Sequence, residues 1–281
     1  MEEFSRYLQT TQGLLTQFGI GTWRSRWPHT TLAMSWVFNV IFPDSMSWSY
    51  VDYFQMPKRS YYYQKRSYER INVTAIFEDL FTDPGDTLRI KLAAMNETLT
   101  TLEKVTVNAR LYSTSLELLA SQSKTVTLRA DDVRSCGYFL YDIPADMPEQ
   151  VLFLCVELVD AEGNLLSRSH HCPRVGKRQE VMPYLANGPW IRDVEQYPTS
   201  LSAKAEKTGN CLTVTVTNTG SLPAFQVYLH APKMDHVTRY SDNCLWLEAG
   251  ESVTVTIRSF EELPGTLQIN AWNADTVTLE V

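Results

Sequence analysis

The amino-acid sequence predicts a mainly β protein, in which two immunoglobulin-like β-sandwiches follow a helix-strand-helix segment. Residues 1–71 predict the first part, because a helical apolar pattern precedes a short apolar run and a second helical pattern. Residues 72–175 and 201–281 predict the two sandwiches, because apolar and polar side chains alternate there with a period of two. Residues 176–200 contain several prolines and glycines with weak periodicity, which indicates a linker between the sandwiches.

An amphipathic helix is expected over residues 3–27. Its apolar residues recur at spacings of three and four, which is typical of one helical face, and Trp23 and Trp27 extend that face. Pro28 then ends the helix. The residues of the predicted face are Phe4, Tyr7, Leu8, Thr11, Leu14, Leu15 and Phe18.

A strand, a loop and a second helix are expected next. Residues 30–39 (TTLAMSWVFN) form a mostly apolar run, which predicts a strand covered on both faces, as in a parallel sheet. Residues 35–54 continue into a loop rich in aromatic side chains. The second helix is expected from about Pro57, a residue suited to the first helical turn, to about Glu69.

The strands of the two sandwiches are predicted from alternating segments that are rich in β-branched residues. In the first sandwich a hairpin is expected within residues 151–169, with its turn at 160–164. The other strands of the first sandwich are predicted at 73–79, 87–96, 104–113 and 124–130. Those of the second sandwich are predicted at 212–220, 224–232, 252–259 and 266–272.

Composition and charge exclude several classes of function. The net charge is −7 and no long run of lysine and arginine occurs, so no nucleic-acid partner is expected. No apolar run approaches the roughly 20 residues of a membrane-spanning helix, and the first residues lack the pattern of a secretory signal. The localisation therefore stays open, and an exported parent, periplasmic or secreted, would need a signal that this sequence does not show.

The cysteine and histidine residues do not predict a metal site or a cofactor. The five cysteines are scattered without CxxC spacing, which leaves room for one disulfide bond whose partners stay open. His170, His171 and Cys172 are adjacent, but neighbouring side chains on a strand point to opposite faces, and no second ligand pair follows. We therefore expect neither a metal nor a cofactor.

The N-terminal residues contain a series of motifs in a fixed order. Trp23-Arg24 and Pro28 come first, and they are followed by Ser35-Trp36-Val37-Phe38-Asn39, Phe42-Pro43 and Ser47-Trp48-Ser49-Tyr50-Val51-Asp52-Tyr53-Phe54. In order and spacing this series resembles the end of the catalytic barrel in glycoside hydrolase family 2, particularly its β-mannosidase and exo-β-glucosaminidase branch. The resemblance implies that residues 1–71 are the C-terminal piece of a (β/α)8 barrel, or TIM barrel.

The resemblance continues through both predicted sandwiches. Residues 154–160 with Gly163 resemble the end of the sandwich that follows the barrel in these enzymes. Thr217-Asn218-Thr219-Gly220 and Tyr240-Ser241-Asp242-Asn243 resemble their terminal sandwich. The whole resemblance implies the C-terminal portion of a β-mannosidase-like enzyme that hydrolyses O-glycosyl bonds.

The resemblance also implies that the catalytic residues lie outside this chain. Retaining glycosidases use two carboxylates about 5–5.5 Å apart, and family 2 enzymes carry both on earlier barrel strands. Asn96-Glu97 falls inside the first predicted sandwich, while Glu2 and Glu3 lie at a helix start, where carboxylates favour the helix dipole. We therefore expect no catalytic residue here, no turnover by this chain alone, and a structural or accessory role.

Four residues are candidates for contact with carbohydrate in the intact parent. Trp36 ends the predicted strand, where its indole could stack on a sugar ring or simply pack in a core. Asn39 could hydrogen-bond to sugar hydroxyls or brace the loop. Trp48 and Asp52 fit better a role in loop and helix geometry, with Asp52 at the helix entry or beside a buried partner.

Other interpretations stay open. The tandem sandwiches could be a carbohydrate-binding or adhesion module with residues 1–71 as a remnant, because sandwich folds serve many functions. Within the enzyme class, a family 2 β-galactosidase or β-glucuronidase is the other candidate. A single barrel strand has two unpaired edges and an uncovered apolar face, so we also expect self-association or a large exposed apolar patch.

Overall fold

The computed structural model describes residues 2–43, 48–177, 191–232 and 234–281. The chain divides into two compact units, the first formed by Met1–Ser35 and Tyr63–Ile191, the second by Trp36–Tyr62 and Arg192–Val281. The described residues form two α-helices, α1 (Glu2–Arg24) and α2 (Arg59–Ser67). Helix α2 contributes its first turn to the second unit and its remaining residues to the first unit.

The described chain is mainly β, as the sequence predicts. The first unit holds β1 (Ile71–Phe77), β2 (Phe81–Thr82), β3 (Thr87–Asn96), β4 (Leu102–Tyr112), β5 (Leu118–Leu128), β6 (Asp132–Asp142), β7 (Gln150–Val151), β8 (Phe153–Val159), β9 (Leu165–His171) and β10 (Arg174–Val175). The second unit holds a 3-10 helix (Arg192–Gln196) and β11 (Leu201–Thr208), β12 (Cys211–Asn218), β13 (Ala224–His230), β14 (Thr238–Tyr240), β15 (Leu245–Leu247), β16 (Ser252–Ser259), β17 (Thr266–Ala271) and β18 (Ala274–Glu280).

The first unit contains a sandwich of two antiparallel sheets. One sheet has the strand order β1-β3-β6, the other β5-β4-β8-β9, and a small third sheet has the order β2-β10-β7. The two larger sheets enclose one buried core, whose members include Val73, Ile90, Val107, Phe139 and Leu154. The predicted hairpin is confirmed as the antiparallel pair β8 and β9.

Helix α1 packs on β1 and β9 through a face that the apolar spacing predicted in part. Thr10 and Gln17 are buried on this face, whereas Phe4 and Leu8 of the predicted face are 65% and 42% exposed. Phe18 of the predicted face packs on the sandwich, with 5.9 Å between its ring centre and that of Phe77, and Thr11 is buried. Small and polar side chains beside them allow the helix backbone to come close.

Two glycines of α1 show how close this approach is. A Cβ atom at Gly13 would lie 2.5 Å from a ring carbon of Tyr63, and one at Gly21 would lie 2.3 Å from Thr74 Oγ1. Any side chain at either position would therefore separate the helix from the residues that it covers.

The predicted strand over residues 30–39 is wrong. The backbone is irregular there, and in this range a single bridge pairs Asn39 with Val51. A strand lasts only where neighbours accept its backbone hydrogen bonds, and no described strand pairs with residues 30–38. The helix-strand-helix part of the predicted fold is thus corrected to two helices joined by an irregular segment.

The helices are shorter than predicted, and part of the predicted linker cannot be compared. Helix α1 ends at Arg24, and residues 25–29 form turns. Helix α2 begins at Arg59 instead of Pro57 and ends at Ser67. Residues 178–190 of the linker lie outside the described residues.

The second unit contains an immunoglobulin-like sandwich of two four-stranded sheets. Their strand orders are β11-β12-β16-β14 and β15-β13-β17-β18. The core between the sheets includes Leu212, Val214, Val227, Ile257 and Ile269. The four predicted strands correspond to β12, β13, β16 and β17, whereas β11, β14, β15 and β18 were not predicted.

Two sequence expectations concern membranes and disulfide bonds. Within the four described ranges, no helix is long and apolar enough to cross a membrane. All five cysteines are free thiols in this structure, so the disulfide bond that the sequence left open is not formed. Burial raises the pKa of the Cys136 and Cys172 thiols, which keeps both protonated.

Candidate functional site

The four candidate residues lie in the second unit, on the irregular segment that precedes α2. The side chains of Trp36 and Trp48 are 83% and 76% exposed, Asn39 is exposed, and Asp52 is half-buried. The peptide bond between Trp36 and Val37 is cis. Neither indole is packed in a core, so both rings can contact another molecule.

Backbone hydrogen bonds tie three stretches of this segment together. The Phe38 carbonyl accepts from the amides of Tyr50 and Val51, both at 3.0 Å, and the Lys58 amide donates to the Tyr50 carbonyl at 2.9 Å. Asn39 forms its bridge with Val51 in the same place. The backbone of Asn39 therefore braces the loop, while its side chain stays open to solvent.

Asp52 closes a turn in front of α2. Its Oδ1 atom accepts from the Met56 amide at 2.8 Å, and its own amide donates to the Met56 carbonyl at 3.1 Å. Gln55 completes the turn with a positive φ of 62°. The carboxylate therefore fixes local geometry, and it lies seven residues before the first helical residue, Arg59.

A group of tyrosines, which sequence reasoning missed, attaches the start of α2 to the immunoglobulin-like sandwich. The Arg59 guanidinium lies 4.0 Å from the centre of the Tyr228 ring on β13. Tyr62 is buried and shares a hydrogen bond with Asn243. Burial raises the pKa of Tyr62 and of Tyr228, so both phenols stay protonated.

Asp235 organises the polar side of this tyrosine group. Its Oδ1 atom accepts from the Tyr240 hydroxyl at 2.7 Å and from the Ala231 amide at 2.8 Å, and its Oδ2 atom lies 3.6 Å from His230 Nδ1. Burial and the Asp235 charge raise the pKa of Tyr240. The motif Tyr240-Ser241-Asp242-Asn243 lies in this tyrosine group, but its spacing in the sequence could not show which residues its side chains contact.

His170 and His171, which precede Cys172 in the sequence, are buried and held by protein groups. His170 Nε2 lies 2.6 Å from the Tyr63 hydroxyl, and the Ala75 amide donates to His171 Nε2 at 3.3 Å. Burial lowers the pKa of His170 far below its ordinary value and that of His171 to about 3. In the described parts of the chain, no three His, Cys, Asp or Glu side chains are grouped to hold a metal ion.

Glu97 serves the sandwich. Glu97 directly follows β3. Its Oε1 atom lies 2.7 Å from Arg24 Nη2, and its backbone amide donates to the Arg70 carbonyl at 2.8 Å. These contacts join α1 to the end of the sheet, so the Glu97 carboxylate is engaged by Arg24.

The second unit has an immunoglobulin fold, which gives the structural class of this part of the chain. Residues 197–274 match the family model Ig_mannosidase, described as an Ig-fold domain. No curated protein matches the chain.

The solved structures extend the likeness to nearly the whole chain. Exo-chitosanase CsxA of Amycolatopsis orientalis matches 99% of this chain with a TM-score of 0.77 and 20% sequence identity, over 34% of its own length. A β-D-mannosidase from Dictyoglomus thermophilum matches 95% with a TM-score of 0.70 and 19% identity, over 29% of its length. The chain spans about a third of these proteins. It is similar to the C-terminal region of β-mannosidases and exo-β-glucosaminidases of glycoside hydrolase family 2, as the motifs predicted.

Proposed function

We propose that this chain is the C-terminal portion of a retaining, β-mannosidase-like glycoside hydrolase, lacks both catalytic carboxylates, and has a structural or accessory role in the parent. The likeness to the C-terminal domains of such hydrolases supports the class. Residues 1–71 are the last piece of the (β/α)8 barrel, 72–175 the following sandwich, 176–200 a linker and 201–281 the terminal immunoglobulin-like sandwich.

One observation carries this proposal: the exposed apolar segment, defined as residues 36–43 and 48–54. Large apolar side chains face solvent along it, although monomeric proteins rarely leave extended apolar surface uncovered. The rest of the parent's barrel would cover this surface. The exposed side chains are Trp36, Phe38, Ile41, Phe42, Trp48, Tyr53 and Phe54.

In the parent, Trp36 and Asn39 would form part of the wall of the carbohydrate site. The exposed indole of Trp36 supports a stacking role, because an aromatic face suits the apolar face of a sugar ring. The exposed side chain of Asn39 can hydrogen-bond to sugar hydroxyls. Trp48 and Asp52 would shape the loop that carries them, as the turn closed by Asp52 supports.

Without the parent's barrel, the exposed apolar segment is expected to drive self-association. Sedimentation of the purified chain should show dimers or larger species, and the double substitution Trp36→Ser and Ile41→Ser should shift them toward monomers. Leu99→Ser is the matched control, because Leu99 is 90% exposed but lies outside the segment. A monomeric wild-type chain that binds no hydrophobic dye would contradict this expectation.

The proposal as a whole is tested by assaying the purified chain with aryl β-mannosides and aryl β-glucosaminides. No turnover is expected, because the proposal assigns both catalytic carboxylates to earlier barrel strands of the parent, outside this chain.

A further inference from the structure

A cleft on the immunoglobulin-like sandwich contains none of the four candidate residues and no residue of the exposed apolar segment. Its volume is about 300 Å³, at the lower end of the range of ligand-binding clefts. It is formed by β12, β16 and β14 and by the chain that follows β16. The residues that line it are Asn210, Cys211, Arg239, Arg258, Ser259 and Phe260.

Two arginines lie side by side in this cleft. Arg239 on β14 pairs directly with Arg258 on β16, which pairs on its other side with Cys211 on β12. Because Ile257 belongs to the core, the next residue, Arg258, lies on the solvent face of the sheet. Directly opposite side chains of antiparallel strands have Cβ atoms about 5 Å apart, and like charges there repel each other. The arginine pair therefore destabilises the sheet unless an anion compensates its charge.

No carboxylate of the described residues compensates this pair. Arg258 is exposed, and its guanidinium forms neither a hydrogen bond nor an ion pair with the described part of the chain. Arg239 donates through Nη1 to the carbonyls of Thr238 at 2.9 Å and His236 at 3.4 Å. None of the six lining residues is acidic, so the cleft has a formal charge of +2 in a chain whose net charge is −7. Such a local concentration of positive charge attracts an anion.

Phe260 orients one of the two arginines. The Arg239 guanidinium lies 5.0 Å from the centre of the Phe260 ring, and the Phe260 amide donates to the Val237 carbonyl at 3.0 Å. An aromatic ring holds one face of a guanidinium and leaves the N–H groups at its edge free for oxygen acceptors. Arg239 is therefore ordered before any ligand arrives, which lowers the entropy that binding costs.

Asn210 adds an uncharged donor to the cleft. Its Nδ2 atom donates to the Ser259 carbonyl at 3.2 Å, and this bond joins the start of β12 to the end of β16. A side-chain amide has two N–H donors, so one of them remains for a ligand. The cleft therefore combines fixed hydrogen-bond donors with positive charge, as the recognition of an oxyanion requires.

We propose that this cleft binds a phosphate dianion, either free or as the phosphate group of a small phosphorylated molecule. The charge of a phosphate monoester approaches −2 near neutral pH and matches the two guanidinium groups, whereas a single carboxylate would leave one of them uncompensated. Each guanidinium can donate two parallel hydrogen bonds to phosphate oxygens. The site does not depend on the proposed function of the chain.

The test is calorimetric titration of the full chain with inorganic phosphate and, separately, with glucose 6-phosphate, in a chloride buffer at about pH 7.5, where both are mainly dianions. We expect binding that weakens at least about tenfold in Arg258→Gln and in Arg239→Gln. Arg192→Gln is the matched control, because Arg192 is also exposed and does not line the cleft. Tighter binding of glucose 6-phosphate would identify a phosphorylated molecule as the ligand, and equal affinities would identify free phosphate.

Thermal unfolding separates a binding role of the arginines from a structural one. Without phosphate, Arg258→Gln should unfold at the same temperature as the wild type or higher, because it removes a repulsion; added phosphate should raise the unfolding temperature of the wild type and not that of the variant. A lower unfolding temperature of Arg258→Gln without phosphate would overturn the proposal, because the pair would then be compensated within the protein.

Two titration results would also overturn the proposal. The first is no binding of either probe by a chain whose thermal unfolding shows it to be folded. The second is binding that Arg192→Gln weakens as much as Arg258→Gln and Arg239→Gln do, because the anion would then respond to the overall charge of the chain and not to this cleft.

Discussion

Replacing Asn218 with alanine is expected to lower the free energy of unfolding by roughly 3 kcal/mol or more, since several buried groups lose their partner at once. Asn218 is fully buried in the immunoglobulin-like sandwich. Its Nδ2 atom donates to the Leu222 and Leu247 carbonyls at 2.8 and 3.1 Å, and its Oδ1 atom accepts from the Thr199 hydroxyl and the Gly220 amide at 2.9 and 3.1 Å.

Urea denaturation of the Asn218→Ala variant, followed by tryptophan fluorescence, measures this loss. Asn210→Ala is the control, because Asn210 is exposed and makes a single side-chain hydrogen bond of 3.2 Å to the Ser259 carbonyl. The control should change stability by less than about 0.5 kcal/mol. Equal effects of the two substitutions would show that the buried hydrogen bonds of Asn218 do not hold the sandwich.

Replacing Gly21 with valine is expected to destabilise the first unit by about 3 kcal/mol, at the upper end of the usual cost of overpacking. The reason is the close approach of α1 to β1: the first added carbon would lie 2.3 Å from Thr74 Oγ1 and 2.9 Å from Thr74 Cβ. Thr74 is buried, so it cannot move aside without disturbing the sheet.

Gly19→Ala separates this packing effect from helix propensity. A Cβ atom at Gly19 would meet only the Trp23 ring, at 3.9 Å, so alanine should stabilise α1 by about 0.5–1 kcal/mol. Thermal unfolding of both variants provides the comparison. Destabilisation by Gly19→Ala, or none by Gly21→Val, would contradict the close packing of this helix on the sandwich.

The sequence predicted the sandwiches well, because a period of two reports directly which side chains face a core. Strands β12 and β16 follow this alternation and were found. Strand β11 was missed, since its inward side chains are mostly small and only half-buried, as at Ala203 and Ala205. The other side chains of the strand are exposed, so the apolar signal is weak.

The sequence predicted less of the N-terminal part, for two physical reasons. A helix can bury small residues beside its apolar ones, as α1 does at Gly13 and Gly21, and apolar spacing does not reveal that part of the face. An apolar run becomes a strand only beside partner strands, and residues 30–38 have none in the described chain. Their apolar side chains indicate a surface that another part of a protein would cover. They do not indicate the local backbone conformation.

The role of the four candidate residues in a carbohydrate site stays a prediction. The motif positions of Trp36, Asn39, Trp48 and Asp52 pointed to one segment, and the structure shows two exposed indoles there and a turn closed by Asp52. The contacts of Arg59 and Tyr62 with the immunoglobulin-like sandwich were not predicted, because they join residues that are far apart in sequence. Such long-range proximity is set by the fold and leaves no spacing to recognise.

Hydrolysis by the purified chain is the measurement that tests the proposed function most directly. With aryl β-mannoside and aryl β-glucosaminide substrates, the rate of phenol release should equal that of the buffer alone at every protein concentration. Turnover that rises with protein concentration and is abolished by one carboxylate substitution within the chain, such as Glu97→Gln, would contradict the proposal that both catalytic carboxylates lie elsewhere.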